Sequence, residues 1–275
     1  MMIPLEDGAA DILGKAQRGL GISDSELAED SGVRPEQVRQ LRDGKINTEV
    51  AERVAPRLGL HAPSLLRLAE GTWEPAQLAQ IDGVAQFNTQ YGDMTVNAYL
   101  LWDSRTREAI AFDTGADCAE MLRLAGEEKL AIKLILLTHA HSDHVADLPR
   151  LQAATGAPTF ISEHESATGA ERIKEGKQFQ LGGLRVETRL TSGHSAGGIT
   201  YVVNGLVRTV AVVGDSLFAG SMGGGAVSYQ DALRNNLEKI LTLPEDTIVC
   251  PGHGPLTTVG KEKRDNPFFA ATFQR

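Results

Sequence analysis

Apolar residues recur three and four positions apart from residue 8 to about residue 70; from about Leu78 onward they alternate or run together, so the chain changes period once. The first part reads as short helices. Ser23-Asp24-Ser25-Glu26 has the capping-box form, and Gly32 stops the helix that follows. Pro35 opens the next helix at its first turn, with Val38 and Leu41 on one face and Gly44 at its end. Val50, Val54 and Leu58, spaced by four, predict a further helix, and Leu65, Leu66 and Leu68 a last one. Gly71-Thr72-Trp73-Glu74-Pro75 joins the two parts, which sets domains of 1–72 and 73–275.

The second part predicts strands at Val84–Phe87, Thr95–Leu101, Ala109–Phe112, Ala131–Leu137, Ala157–Ile161, Leu184–Leu190, Ile199–Val203, Leu206–Val213 and Thr247–Cys250. Helices are expected at Ala119–Leu130, Ala146–Thr155 and Tyr229–Leu241, the last with Leu233, Leu237 and Leu241 spaced by four. Interleaved strands and helices imply sheets covered by helices, an α/β class. There is no internal repeat.

The polar exceptions to this pattern cluster at strand ends. The run Ala131–Leu137 leads into Thr138-His139-Ala140-His141-Ser142-Asp143-His144. Buried strand ends shun such groups unless they are paired or bind something. On an extended strand end, residues i and i+2 point the same way, so His139 and His141 can converge on one ion. Asp143 and His144 follow where the chain turns into a helix and can face a second point nearby. Three further signals also follow strands: Gly193-His194-Ser195, Gly214-Asp215-Ser216 and Pro251-Gly252-His253-Gly254-Pro255. Five of the seven histidines fall in these signals; His61 and His164 do not and read as surface residues. Imidazole and carboxylate suit zinc, iron or manganese.

Composition narrows the setting. A net charge of −9 and a pI near 5.3 argue against a mainly electrostatic grip on nucleic acid or anionic membrane. Two distant cysteines, Cys118 and Cys250, imply no disulfide framework and a reducing compartment; Cys250 closes an apolar strand and reads as core. Met1–Ala10 lacks a signal-peptide pattern and no apolar run reaches spanning length, so a cytoplasmic protein away from the membrane is expected.

The set His139, His141, Asp143, His144, His194, Asp215 and His253 resembles the metallo-β-lactamase superfamily, over residues 80–275 nearly end to end. The resemblance implies an αββα sandwich with metals at one edge of its two sheets. It implies that His139, His141 and His194 hold one divalent ion, that Asp143, His144 and His253 hold a second, and that Asp215 bridges them. The ions are zinc first, with iron or manganese also suited. Asp113, in Phe112-Asp113-Thr114-Gly115, matches a carboxylate that orients a ligand histidine. Two ions ~3.5–4 Å apart share one solvent molecule and lower its pKa to about 7, giving a bridging hydroxide. Asp143 and His144, which would complete the second ion's site, are the residues assigned to catalysis.

Leu217-Phe218-Ala219-Gly220-Ser221, Asn97-Ala98-Tyr99 and the tail Thr257–Glu262 with Asn266-Pro267-Phe268-Phe269 look like the glyoxalase II branch. That branch has a C-terminal helical domain that grips glutathione, whereas this sequence runs only about 20 residues past His253, and it often has a basic residue where Gly223-Gly224-Gly225 stands, so a glutathione thioester is not expected. The short glyoxalase-like hydrolases are the closer match. The expected activity is hydrolysis of a thioester, ester or lactone, with a small-molecule substrate and a homo-oligomeric enzyme. The alternatives are a mononuclear iron dioxygenase of the persulfide type and a metabolite-sensing regulator.

Ser23–Leu60 resembles the helix-turn-helix of Cro and the phage repressors, through Glu26-Leu27-Ala28, Ser31-Gly32-Val33, Val38, Leu41, Asp43-Gly44-Lys45 and Leu58-Gly59-Leu60. In such modules the second helix, here Pro35–Asp43, lies in the major groove, and Arg34, Gln37, Arg39, Gln40 and Arg42 would face the DNA. Residues 1–70 carry 9 Lys/Arg against 12 Asp/Glu, a net of −3, so nucleic-acid binding through residues 23–60 is expected to be weak.

Overall fold

The computed structural model describes residues 3–75, 78 and 80–274. Helices α1 (Ala9–Leu20), α2 (Asp24–Ser31), α3 (Pro35–Arg42), α4 (Thr48–Val54) and α5 (Ala62–Ala69) precede every strand. The expected caps form: Glu26 N donates to Ser23 Oγ at 3.2 Å while Ser23 N donates to the Glu26 carboxylate at 2.9 Å. Pro35 is the first residue of α3, where its missing N–H costs nothing. Leu27, Val38, Leu41, Val54, Leu58 and Leu65 are all buried, so the spacing read in the sequence is the helices' shared inner face.

Two six-stranded sheets follow. The first comprises β1 (Val84–Tyr91), β2 (Met94–Trp102), β3 (Glu108–Phe112), β4 (Ala131–Leu136), β5 (Thr159–Ser162) and β6 (Ala170–Ile173), paired in that order. The second comprises β7 (Gln178–Leu181), β8 (Leu184–Leu190), β9 (Ile199–Asn204), β10 (Val210–Gly214), β11 (Ile248–Pro251) and β12 (Thr257–Thr258), also neighbours in chain order. Between the strands the chain adds α6 (Ala119–Glu127), α7 (Ser142–Val145), α8 (Leu148–Thr155) and α9 (Tyr229–Asn235), and after β12 it adds α10 (Val259–Asp265) and α11 (Ala270–Phe273).

Alternation along the strands builds two faces. On β2, Tyr99 and Leu101 point between the sheets while Ala98 and Leu100 point out; on β10, Val210 and Val212 face in and Ala211 and Val213 face out. Phe112 and Tyr201 meet across the sandwich with ring centroids 5.5 Å apart. Met121 of α6 and Leu148 and Leu151 of α8 cover the first sheet. The outer face of the second sheet joins Tyr229, Ile240 and Val259 in one apolar cluster that continues into Ile12, Leu13 and Leu65. The helical part therefore packs onto the αββα sandwich instead of hanging from it.

Some expectations shift. The strand expected from Leu206 starts at Val210, because residues 205–208 turn outward and leave Val207 exposed. The helix expected through Leu241 changes at Asn236 into a π turn over Asn236–Ile240, where Asn236 Nδ2 donates to Ser216 O at 2.8 Å. His164 is exposed, but His61 is half-buried: its N–H donates to Pro267 O at 2.7 Å, where the helical part meets the C-terminal segment. Cys118 and Cys250 are free and buried, and burial pushes both thiols up. Among the described residues no helix is long and apolar enough to cross a membrane.

Candidate metal centre

β3 and β4 run parallel in one sheet, and β10 and β11 do so in the other, so their C-terminal ends deliver side chains to one edge of the sandwich. Asp113 follows β3, His139 and His141 follow β4, Asp215 follows β10 and His253 follows β11. His194 follows β8, and α7 carries Asp143 and His144. All seven expected residues meet there. Donor atoms of His139, His141, His194 and Asp215 lie within 4.8 Å of one another, as do those of Asp143, His144 and His253.

Asp215 stands between the two sets. Its Oδ2 is 3.4 Å from His194 Nε2 and 3.3 Å from His253 Nε2, and its Oδ1 is 3.2 Å from His144 Nε2. Asp143 Oδ2 is 3.3 Å from His253 Nε2 and 3.5 Å from His144 Nε2. The backbone allows this crowding only without side chains at two points: a Cβ on Gly223 would overlap Asp215 O, and one on Gly252 would overlap the Asp215 carboxylate.

Behind the histidines lies a second row of groups. Asp113 Oδ2 accepts from His144 Nδ1 at 2.8 Å and from Thr138 Oγ1 at 2.7 Å, and its Oδ1 accepts from Thr138 N at 2.7 Å. Since the Thr138 hydroxyl donates to Asp113, its oxygen is free to accept from His139 Nδ1, 3.0 Å away. One carboxylate thus turns two rings so that their Nε2 atoms face the centre. Asp113 adopts a left-handed backbone, φ 55, to do so. His253 Nδ1 donates to Thr95 O at 2.6 Å, and His194 Nδ1 to Gly224 O at 3.1 Å.

The residues present fit a metal. His139 Nε2, His144 Nε2 and Asp215 Oδ1 are buried with no hydrogen-bond partner, a costly arrangement unless an ion accepts their lone pairs. His141 Nδ1 and His194 Nε2 face each other at 3.0 Å. Electrostatics agree. Burial works to raise the Asp215 carboxyl, but His144 and His253 beside it outweigh burial and hold it well below the usual range. Burial works to lower His144 and His253, yet Asp215 with Asp113 on one and with Asp143 on the other raises both. His139 and His194 are lowered, chiefly by burial. A divalent cation would take the place of the protons that balance these acids.

Comparison with known proteins agrees with this geometry. The family model for the metallo-beta-lactamase superfamily matches residues 91–253, more than half of the chain. Hydroxyacylglutathione hydrolase GloC of Haemophilus influenzae is 30% identical over 197 residues, covering 62% of this chain and 92% of that protein. The mitochondrial persulfide dioxygenase ETHE1 of Bos taurus is 31% identical over 180 residues, covering 62% of this chain and 69% of that one. The crystal structure of TTHA1623 in a di-iron-bound form superposes with a TM-score of 0.55 at 28% identity, covering 66% of this chain and all of that one. The fold, the matched span and the His/Asp cluster give one conclusion: the chain belongs to the metallo-β-lactamase superfamily and is a metallohydrolase of that fold.

Proposed function

We propose that the protein is a dinuclear metal-dependent hydrolase of a thioester, ester or lactone. The observation that carries this reading is the buried Asp215 carboxylate lying between two complete donor sets. His139, His141 and His194 would hold one ion, Asp143, His144 and His253 the other, and Asp215 both. Two such ions, when bound, would supply a hydroxide nucleophile at neutral pH and a Lewis acid for the scissile carbonyl. The chain's own part is positional. Asp113 orients His144 and, through Thr138, His139 so that their outer nitrogens are engaged and their inner nitrogens face the position of the ions. The thioester choice draws support from GloC, whose name is that of an acylglutathione hydrolase. Zinc is our first choice of metal, with iron next, since a relative at 28% identity was solved in a di-iron form.

The runner-up is an iron dioxygenase acting on a persulfide, which the similarity to ETHE1 favours. It would need one iron on two histidines and one carboxylate, with open positions for oxygen. Metal analysis with a panel of ester, lactone, thioester and phosphoester substrates separates the readings. Near two transition ions per chain and turnover of an acyl substrate are expected; one iron per chain with no hydrolysis overturns the hydrolase.

For residues 1–72 we propose a helical module that binds duplex DNA at most weakly. Arg39 pairs with Glu36 at 2.9 Å and Arg42 with Asp24 at 2.8 Å, so two of its exposed cations are already partnered by its own acids. Tight, sequence-specific binding at physiological salt would overturn this and promote a regulatory role.

A further inference from the structure

The family match begins at residue 91, yet a segment far upstream of it touches the metal centre. Asp7, just before α1, is buried; its carboxylate accepts from Ser221 Oγ at 2.6 Å and pairs with Lys15. Lys15 also donates to Met222 O at 3.0 Å and lies over the Phe218 ring, 5.1 Å from its centroid. Phe218 in turn meets His253 edge-on, with centroids 5.7 Å apart. These contacts fix the neighbouring Glu6, whose carboxylate stands 4.0 Å from His253 Nδ1. The backbone is close as well: a Cβ on Gly254 would lie 3.2 Å from Glu6 N and 3.6 Å from Pro4 O. Pro4–Asp7 therefore covers the outer side of His253, while His253 Nε2 faces Asp143 and Asp215.

The two histidines of this donor set are backed differently. His144 has a carboxylate, Asp113, directly on its outer nitrogen; His253 has only the neutral carbonyl of Thr95. Glu6 brings a negative charge to that second ring from outside the sandwich. A charge there makes the imidazole a better donor to a cation on its inner nitrogen, while Thr95 O fixes the ring's orientation.

We propose that Glu6 is a positioning carboxylate for the metal held by Asp143, His144 and His253, so that the N-terminal segment completes the second site. This rests on the dinuclear reading. The test uses the full chain, freed of metal and titrated with Zn²⁺ against a chromophoric chelator. Wild type is expected to load in two steps. Glu6→Gln, equal in size but neutral, should weaken one step by roughly tenfold or more and leave the other unchanged, and Glu6→Asp should recover part of the loss. Equal weakening of both steps, or an isotherm identical to wild type, would overturn the proposal. A wild type that binds a single ion would instead remove the dinuclear reading beneath it, so the two failures are distinguishable. The Glu6→Asp variant, which keeps the charge, separates an electrostatic role from disturbed packing should Glu6→Gln fold poorly.

Discussion

The two donor sets share a carboxylate but not an environment. In the first, His141 is exposed and His194 keeps a fifth of its side chain in solvent, with only His139 fully covered. In the second, Asp143, His144 and His253 are all buried, and the outer sides of the two histidines are packed by Asp113, by Thr95 and by the segment around Glu6. The open set faces solvent and is the side on which a substrate can arrive. The closed set depends on distant parts of the chain for its shape, so it is the more sensitive to changes made far from the chemistry.

The largest effect expected is from removing residues 1–72, which strips the cover from behind His253 and breaks the apolar cluster shared with the second sheet. Each large side chain exposed there forfeits ~1.5–3 kcal/mol. The truncated protein should be insoluble or free of metal in solubility and metal assays; a folded, fully loaded fragment would show the closed set to be self-sufficient. Next, Asp215→Ala should empty both sets and lower hydrolysis by several orders of magnitude, whereas full metal content in that variant would deny the carboxylate a bridging role. His144→Ala and His253→Ala should remove one ion and nearly all hydrolysis with the fold intact. Oxygen consumption on a persulfide that survives both changes would sink the hydrolase reading. Asp113→Asn should cost about 10–100-fold in metal affinity, more in the closed set than in the open one; equal losses would blur the distinction drawn here.

The smallest effect is in protons. Carboxylates raise His144 and His253 above the ordinary histidine value, so in the metal-free protein both hold protons at neutral pH. Metal must expel them, and affinity should keep rising with pH beyond the point where an ordinary histidine has titrated. Calorimetry of zinc uptake at pH 7 in buffers of differing ionisation enthalpy should register release of at least about two protons, one from each histidine, with any further release coming from the metal-bound water. A release near zero would contradict this charge balance.

Much of this arrangement was legible in the sequence, because the donors sit where apolar strands end and the cost of burying His and Asp makes them conspicuous. The caps of α2 and α3 were legible for a similar reason: Ser23, Glu26 and Pro35 satisfy backbone groups locally. What escaped depends on distant contacts. Thr95 and Gly224 serve through carbonyls, which every residue has. Glu6 lies nearly a chain length from His253, and nothing in Pro4–Asp7 marks its destination. Strands β6 and β7 are four residues each and are set by pairing at the sheet edges instead of by any pattern of their own. The π turn at Asn236 coincides with a side chain reaching back to Ser216, a contact that no local pattern marks.

Asp113 bears two demands at once: a left-handed backbone and a carboxylate that accepts three hydrogen bonds. Glycine meets the first with ease but brings no acceptor, while asparagine tolerates the backbone yet puts an amide donor where an acceptor is needed. Glutamate carries the charge one methylene too far and lacks the same tolerance for positive φ. The position should therefore strongly favour a single amino acid in a saturation screen for activity, whereas at Phe112 and Ile110 of the preceding strand any apolar side chain of similar volume suffices. A screen for expression alone should instead let glycine and asparagine through at 113, and the gap between the two profiles would measure what the site asks of the backbone.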